Sequence, residues 1–410
     1  MKQYVIIGNS IAAVGAIEGI RQVDTDGTIT VISQEPYAVY GRPLISYWLW
    51  GKTDRERMNY RPTDFYEKNG VELLLGKTAS AIDPQAQTVV LESGETLSYD
   101  ELLVATGSRP FVPPMDGLDK VEQAFSFMTM DDAVALSEAI APDSRVLIVG
   151  AGLIGLKCAE GIHERVKEIT VVDMADRILP SVLDEEASQR VQGHLEEKGL
   201  RFMLSDSVAT FEKNCAVLKS GQSVDFDVLV LAVGVRPNTE LVAQAGGEVA
   251  RGIVADASGR TSLPHVFAAG DCCESYDITT GQNRVLALLP NAYQQGEAAG
   301  MAMAGQEKPF HTAMPLNAVG FMGLHIVTAG SYNGEKSVIE EDGNYRCFFV
   351  KDGILNGMIL IGDVRRAGIY TALIRQHTPL DTVDFEAMKR YPQLMAFPLE
   401  ERRAALARSH

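Results

Sequence analysis

A glycine-rich segment in the middle of the chain has the residue types and spacing to hold a pyrophosphate group. Residues 150–155 read GAGLIG, and an acid, Asp173, follows 23 residues after the first glycine. Glycines in such a segment permit a tight turn and a close approach of the backbone to phosphate, while the following helix supplies free N–H groups and the positive end of its dipole. Asp173 would accept hydrogen bonds from an adenosine ribose and repel a 2′-phosphate, which predicts NAD(H) rather than NADP(H). The residues assigned to this site are Gly150, Gly152, Leu153, Ile154, Gly155 and Asp173.

The elements that position this segment occur twice in the chain. Residues 5–20 (VIIGNSIAAVGAIEGI) match residues 147–162 (LIVGAGLIGLKCAEGI) at an offset of 142 positions. Each copy is a short apolar run typical of a buried parallel strand, followed by a glycine turn and a helix with small residues toward the sheet. A second apolar run follows each copy, at residues 29–33 (ITVIS) and 169–173 (ITVVD). This Rossmann pattern predicts an α/β fold with two nucleotide-binding domains.

The first copy departs from the glycine pattern of the second. Residues 8–13 read GNSIAA, so that Ser10 and Ala13 stand where the second and third glycines would be. Small side chains still allow a phosphate to approach the backbone. The alternative, a helix-packing turn that binds nothing, stays open on the residues of this copy alone. The residues assigned to binding in this copy are Gly8, Ser10, Ala12 and Ala13.

Further motifs follow in a specific order. Residues 105–110 (ATGSRP) and 232–238 (AVGVRPN) form a second repeated pair, and residues 261–271 read as a strand ending in Gly270-Asp271. With its motifs in this order, the chain resembles, over nearly its whole length, the FAD- and NAD-dependent pyridine nucleotide-disulfide oxidoreductase superfamily. The resemblance is to the branch that contains rubredoxin reductases, ferredoxin reductases and NADH oxidases. It implies a glutathione reductase-like α/β fold with two Rossmann-like domains and a C-terminal α+β domain.

The resemblance assigns the first copy to FAD and the second copy to NAD(H). By this resemblance Asp271 would bond the ribityl chain and Glu35 would bind the adenosine ribose of FAD. Arg42 and Pro43 match the arginine-proline pair that contacts the flavin in the family. Residues 105–110 and 232–238, which form the second repeated pair, would each complete one of the two nucleotide-binding domains. The further residues that the resemblance assigns to cofactor binding are Ala105, Thr106, Gly107, Gly234 and Gly270.

The family layout also makes the FAD-binding domain discontinuous in sequence. The expected FAD-binding segments are residues 1–111 and 235–309. The NAD(H)-binding domain, residues 112–234, would be inserted between them. Residues 310–410 would form an α+β interface domain that covers the flavin.

Two departures from the family concern the chemistry beside the flavin. Disulfide-reducing relatives carry a redox cysteine there, but residues 45–51 read ISYWLWG, and none of the five cysteines forms a CxxC or CxxxxC pair. Neither a thiol relay nor a metal site is therefore expected. Relatives usually carry lysine where Tyr47 stands and glutamate where Lys157 stands. Tyr47 and Lys157 are the expected catalytic residues, with the displaced cation favouring the reduced flavin; the alternative is a lysine that points to solvent.

The resemblance implies hydride transfer between nicotinamide C4 and flavin N5, and electrons would leave the flavin directly because no thiol relay is present. The expected partner is an iron–sulfur or rubredoxin-type electron-transfer protein or subunit. The variants at residues 8–13, 42–47 and 155–157 look like those of FAD subunits in anaerobic complexes such as phenylglyoxylate dehydrogenase and tungsten aldehyde oxidoreductase. The expected role is therefore the NAD-reducing subunit of a multi-subunit complex. The alternatives are a stand-alone NADH oxidase, an NADH:rubredoxin reductase and a non-catalytic flavin-binding scaffold.

Composition and charge narrow the remaining function classes. The 410 residues are 46% apolar and 22% charged, which is typical of a globular protein of roughly two to four domains. The chain has 37 Lys and Arg against 54 Asp and Glu, and its net charge of −17 disfavours nucleic acid and anionic lipid as partners. No segment has the apolar character of a membrane span, and the start of the chain lacks a signal-peptide pattern. A cytoplasmic location is expected, and an oligomer is compatible with the sequence.

Overall fold

The structure is a computed structural model that describes residues 1–400 and 402–403. Its strands, numbered in chain order, are β1 Gln3–Ile7, β2 Thr28–Ser33, β3 Val71–Leu75, β4 Ala79–Asp83, β5 Thr88–Leu91, β6 Thr96–Ser98, β7 Glu101–Val104, β8 Ser108–Pro110, β9 Ala124–Phe125, β10 Arg145–Val149, β11 Glu168–Val172, β12 Leu200–Met203, β13 Val208–Glu212, β14 Cys215–Leu218, β15 Ser223–Asp225, β16 Val228–Leu231, β17 Val235–Pro237, β18 Val266–Ala268, β19 Ser275–Asp277, β20 Gln282–Arg284, β21 Leu316–Phe321, β22 Leu324–Gly330, β23 Glu335–Glu341, β24 Asn344–Lys351 and β25 Ile354–Ile361. Its α-helices are α1 Ile11–Val23, α2 Ile45–Leu49, α3 Phe65–Lys68, α4 Met130–Ala139, α5 Leu153–Ile162, α6 Glu185–Glu197, α7 Glu240–Gln244, α8 Leu289–Met303, α9 Ala367–Gln376 and α10 Phe385–Arg390.

The first nucleotide-binding unit is built on a parallel sheet of five strands. The strand order is β18-β7-β1-β2-β3, and β1 at the centre is buried from Tyr4 to Ile7. Helix α1 follows β1 and packs against α8, because small and apolar side chains let the two helices approach closely. Parallel strands end at the same edge of a sheet, so the turn at Gly8 after β1 and the Gly270-Asp271 pair after β18 lie at one edge.

The second nucleotide-binding unit repeats this plan. Its parallel sheet has the order β12-β11-β10-β16-β9, with α5 following the central strand β10. A three-stranded antiparallel sheet follows in each unit, β4-β5-β6 after β3 and β13-β14-β15 after β12. The internal repeat thus extends from the glycine segments to the whole unit. The predicted pair of Rossmann-like domains is confirmed.

The chain crosses between the two units at one place. Strand β8 leads out of the first unit, and β17 leads back to it before β18 is added beside β7. The two crossing strands pair antiparallel, with Arg109 opposite Arg236. The predicted division of the chain into domains after residues 111, 234 and 309 stays a prediction.

The C-terminal part contains a five-stranded antiparallel sheet in the order β21-β22-β25-β24-β23. Helices α9 and α10 cover one face, where Tyr370 and Phe385 pack around Phe348. The opposite face, which includes Tyr345 and Ile359, joins the core of the second nucleotide-binding unit. The predicted C-terminal α+β domain is therefore confirmed, while its covering of the flavin stays a prediction. Residues 401 and 404–410 of that predicted domain lie outside the described residues.

The longest described helix is α8, with 15 residues. Across residues 1–400 and 402–403, no helix has both the length and the apolar character needed to cross a bilayer. Within the same part of the chain, no group of three or more His, Cys, Asp or Glu side chains is placed to hold a metal ion.

Candidate functional site

The two glycine loops have the same local geometry. Gly8 and Gly150 have φ values of +110° and +117°, which favour glycine. A Cβ at Gly8 would lie 2.1 Å from the carbonyl oxygen of Ala105, and a Cβ at Gly150 would lie 2.3 Å from that of Ala232. Each glycine loop therefore rests on the start of one copy of the second repeated pair. This contact explains why the two pairs of motifs recur together.

The loop of the second unit leaves space at the start of a helix. Gly152 is the N-cap of α5, and no described atom lies within 4 Å of a Cβ built on it. A Cβ at Gly155 would lie 2.0 Å from the carbonyl oxygen of Gly150, so this glycine lets the helix fold tightly under the loop. Leu153 and Ile154 begin the helix and pack against the core of the unit. The open space beside unpaired helix N–H groups fits the pyrophosphate of a dinucleotide.

Asp173 lies at the end of β11, beside this loop. Its Oδ2 accepts a hydrogen bond from the Ala151 N–H at 2.6 Å, and its Oδ1 accepts one from the Ala175 N–H at 2.8 Å. The carboxylate therefore holds the glycine loop in place as well as presenting a negative charge beside it. Ribose binding by Asp173 stays a prediction that this position favours.

Arg177 is a residue of the same loop that the sequence analysis did not assign. Its Nη1 donates to the carboxylate of Asp176 at 2.8 Å. Its Nε is buried and has no hydrogen-bond partner among the described residues. The signal in the sequence is an arginine four positions after Asp173. Arg177 thus has a buried donor that none of the described residues satisfies.

The loop of the first unit offers a hydroxyl group in place of a second glycine. Ser10 is the N-cap of α1, and its side chain makes no capping hydrogen bond. Asn9 is held in the loop, donating through Nδ2 to the Tyr37 carbonyl at 3.2 Å and accepting through Oδ1 from the Tyr66 hydroxyl at 2.7 Å. Ala12 and Ala13 are buried in the core between α1 and α8, so only their backbone can reach a cofactor.

Glu35 and Arg42, which the resemblance assigns to opposite ends of FAD, form an ion pair in the structure. The Tyr40 hydroxyl donates to Oε2 of Glu35 at 2.6 Å and accepts from the Met130 N–H at 3.0 Å. Burial raises the pKa of Tyr40 above its usual value, so this hydroxyl stays a donor. Pro43 lies in the 3-10 turn that Arg42 begins. Tyr40 is a residue that the sequence did not reveal, since its role depends on a contact across the fold.

Asp271 has a carboxylate without a hydrogen-bond donor among the described residues. Burial raises its pKa to about 6, and the nearby Arg42 cation offsets part of that rise. The carboxylate makes no hydrogen bond to any other described residue, while the preceding Gly270 N–H donates to Gln295 Oε1 at 2.7 Å. A ribityl hydroxyl would supply the missing donor. The residues at this edge of the first sheet therefore fit FAD.

The second repeated pair joins the two units. Thr106 Oγ1 donates to the Asn238 carbonyl at 2.7 Å, and Asn238 Nδ2 donates to the Thr106 carbonyl at 2.9 Å. Asn238 also donates its backbone N–H to the Gly107 carbonyl, and the Gly234 carbonyl accepts from the Phe111 N–H, both at 2.9 Å. Thr106, Gly107 and Gly234 thus hold the crossing strands, and their cofactor contacts stay predictions.

Lys157 and Tyr47, predicted as the catalytic residues, are in contact. The Lys157 Nζ lies 4.3 Å from the centroid of the Tyr47 ring. The lysine side chain is 15% exposed, which contradicts the alternative of a lysine that points to solvent. It forms an ion pair with Glu160, one turn further along α5, and its catalytic role stays a prediction. Glu160 was missed, although it is the repeat partner of Glu18, which also pairs with a cation, Arg61.

We expect Asp271→Asn to weaken FAD binding by about 10- to 100-fold, because a neutral amide replaces a charged acceptor. Without FAD the wild-type protein should lose stability as the pH rises from about 4 to above 6, where the buried carboxyl ionises without a partner. The Asn variant should lack this loss. Flavin fluorescence titration and urea unfolding of the FAD-free proteins measure the two effects. Wild-type FAD affinity in the variant would contradict the assignment.

Comparison with known proteins agrees with this geometry. Residues 2–296 match the pyridine nucleotide-disulphide oxidoreductase family, and residues 315–378 match the rubredoxin NAD+ reductase C-terminal domain. The chain is 32% identical to the NADH-dependent phenylglyoxylate dehydrogenase subunit epsilon of Aromatoleum evansii, over 92% of each chain. It is also 32% identical to the 3-phenylpropionate/cinnamic acid dioxygenase ferredoxin–NAD(+) reductase component of Photorhabdus laumondii subsp. laumondii, over 83% of this chain and 86% of that one.

A solved structure has the same fold along nearly the whole chain. A chain of the covalent putidaredoxin reductase–putidaredoxin complex superimposes with a TM-score of 0.88, at 24% identity and over 98% of both chains. The resemblance stated from the sequence motifs is confirmed by these matches. The chain therefore belongs to the pyridine nucleotide-disulphide oxidoreductase family and is an oxidoreductase that uses FAD and NAD(H).

Proposed function

We propose that this oxidoreductase exchanges electrons between NAD(H) and an iron–sulfur or rubredoxin-type one-electron partner. In this proposal it is the NAD-reducing FAD subunit of a multi-subunit complex. The observation that carries the proposal is the placement of the cysteines, which leaves the flavin without a thiol relay. The alternatives, a stand-alone NADH oxidase and an NADH:rubredoxin reductase, differ in the acceptor or in the absence of a complex.

The five cysteines are all free thiols. Three of them lie near the two nucleotide loops: Cys158 in α5, and Cys272 and Cys273 directly after Asp271. Burial raises the pKa of each of these thiols, so they stay protonated at neutral pH and are poor nucleophiles. Helix α2, where related enzymes carry a redox cysteine, has none. Electrons would therefore pass directly between the flavin and the acceptor.

The chain's own residues have positioning roles in this reaction. When bound, FAD and NAD(H) supply hydride transfer between nicotinamide C4 and flavin N5, and a flavin can also release electrons singly. The loop at Gly152 and the start of α5 would orient the pyrophosphate of NAD(H), with Asp173 beside the ribose. Asp271, Arg42 and Glu35 would hold FAD at the edge of the first sheet. Lys157 and Tyr47 would lie between the two sites.

The relatives support an iron–sulfur or rubredoxin-type partner. The C-terminal match is to a domain named for rubredoxin NAD+ reductase, and one relative is a ferredoxin–NAD(+) reductase component. The match to a subunit of phenylglyoxylate dehydrogenase covers nearly the full length of both chains, which supports a role as one subunit of a complex. The proposal includes a cytoplasmic location, which the free thiols favour, since disulfides are rare in reducing compartments.

Anaerobic stopped-flow spectroscopy tests the proposed acceptor. NADH should bleach the visible flavin band, and ferredoxin, rubredoxin or viologen should restore it at least about tenfold faster than air-saturated buffer does, because a flavin that exchanges electrons with a one-electron partner can do so in either direction. Blocking accessible thiols with iodoacetamide should leave both rates unchanged, since no thiol relay takes part. Fast restoration by oxygen alone, with peroxide or water as the product, would identify an oxidase and contradict the proposal.

A further inference from the structure

Three parts of the molecule meet at one buried ion pair. Lys157 and Glu160 lie one turn apart on α5 of the NAD(H)-binding unit and form an ion pair. Glu160 is only 2% exposed. The Lys157 ammonium contacts the ring of Tyr47, which belongs to α2 of the FAD-binding unit. The pair therefore lies where α5 of the NAD(H)-binding unit meets α2 of the FAD-binding unit.

The same pair is tied to the C-terminal sheet. The Met322 N–H, in the turn between β21 and β22, donates to Oε1 of Glu160 at 2.7 Å. Lys157 Nζ donates to the Gly320 carbonyl at 3.3 Å. The turn is also held by His194 of α6, whose Nε2 lies 3.2 Å from the Met322 carbonyl oxygen. Glu160 thus bonds to the turn, and Lys157 bonds to strand β21 just before it.

The charges of Lys157 and Glu160 cancel within the pair. Removing one member of a buried pair leaves an uncompensated charge, which affects any titratable or redox group nearby. An isolated ammonium group stabilises an electron-rich reduced flavin, and an isolated carboxylate destabilises it. The two single substitutions therefore have opposite expected signs, a property that a purely structural contact lacks.

We propose that Glu160 is a positioning residue, which holds the Lys157 ammonium against Tyr47, compensates its charge and ties α5 to the β21–β22 turn. The inference goes beyond the proposed acceptor. It requires FAD to bind near Tyr47 but does not depend on which protein or molecule accepts the electrons. Its test therefore needs neither NAD(H) nor a partner, and its failure is distinguishable from failure of the proposed function.

The test is the midpoint potential of bound FAD, measured by anaerobic dye equilibration of the purified holoprotein. In Glu160→Gln the amide oxygen still accepts from Met322, while the amide nitrogen replaces the oxygen that accepts from Lys157, so the negative charge and that one hydrogen bond are lost. This variant should raise the ratio of reduced to oxidised flavin about tenfold at a fixed potential, a shift of about 30 mV for a two-electron couple. Lys157→Met should lower that ratio by a similar factor. The double variant should return to within about threefold of the wild type.

A matched control is available in the same interface. Glu186 of α6 also joins the NAD(H)-binding unit to the C-terminal sheet, bonding Lys336 at 3.1 Å and Tyr345 at 3.2 Å, but it is 41% exposed. Glu186→Gln should leave the flavin potential unchanged. Shifts of the same sign in Glu160→Gln and Lys157→Met, or a shift in Glu186→Gln equal to that in Glu160→Gln, would overturn the proposal. If Glu160→Gln does not fold, a potential in Lys157→Met that is unchanged or raised overturns it equally.

Discussion

Gly152→Ala should fold like the wild-type protein and bind NADH about 100-fold more weakly, a loss of about 2.7 kcal/mol. No described atom lies within 4 Å of a Cβ at this position, and the φ of −82° suits alanine. The new methyl group would therefore meet the bound pyrophosphate rather than the protein. The expected loss comes from moving a phosphate away from the N–H groups at the start of α5, which would bind it with charge-assisted hydrogen bonds.

Gly150→Ala is the matched comparison for this variant. Its Cβ would lie 2.3 Å from a backbone oxygen, and its φ of +117° disfavours any side chain, so the protein itself should lose at least about 2 kcal/mol of stability. Gly152→Ala should stay within about 1 kcal/mol of the wild type in urea unfolding, the cost of alanine at an N-cap. The affinity is measured by titrating the oxidised holoprotein with a non-reducing NADH analogue, because NADH itself would reduce the flavin. The dissociation constant of this analogue is compared between the variants and the wild type. Unchanged affinity in Gly152→Ala would place the pyrophosphate elsewhere.

Asp173→Arg should change the preference between NADPH and NADH by roughly 100-fold in favour of NADPH, measured as the ratio of kcat/KM values for flavin reduction. The carboxylate repels a 2′-phosphate, and an arginine in its place would attract one. The substitution also removes the hydrogen bonds from Ala151 and Ala175, so kcat/KM for NADH should fall at the same time. Those two bonds show that Asp173 also holds the glycine loop in place.

The control for this prediction is Asp176→Arg. It makes the same change of charge three residues away, at a carboxylate that bonds only Arg177 among the described residues. Asp176→Arg should leave the preference within about threefold of the wild type, because its effect is that of general charge alone. An equal shift in both variants would mean that loop charge, and not the position of Asp173, selects the nucleotide.

The parts of the fold that could be predicted from sequence are those with a local cause. The apolar runs before Gly8 and Gly150 are buried strands because the residues on both faces are apolar, and each glycine loop needs the backbone geometry that glycine alone tolerates. Because the two segments match at an offset of 142 residues, the strand, glycine turn and helix predicted for one unit are also predicted for the other. Two nucleotide-binding units could therefore be predicted without knowledge of their contacts.

The parts that could not be predicted depend on contacts between distant residues. Glu160 meets Met322 across 162 positions, and Tyr40 meets Met130 across 90. No local pattern reports such a distance, and a glutamate on a helix is most often exposed. The ion pair of Lys157 with Glu160 could not be predicted for this reason, since the carboxylate lies on the same helix but is buried and bonded to the C-terminal turn.

The pairing of β8 with β17 has a consequence for how the second unit is accommodated. The two chain crossings lie side by side, so the ends of the inserted unit are neighbours on adjacent strands. When the inserted unit is already folded, closing the first unit across it costs only the ordering of these two short strands, whereas an unfolded insertion would cost more the longer it is. The first unit can therefore form its sheet around a folded insertion whose own ends lie close together. In this polypeptide one nucleotide-binding fold is inserted within another.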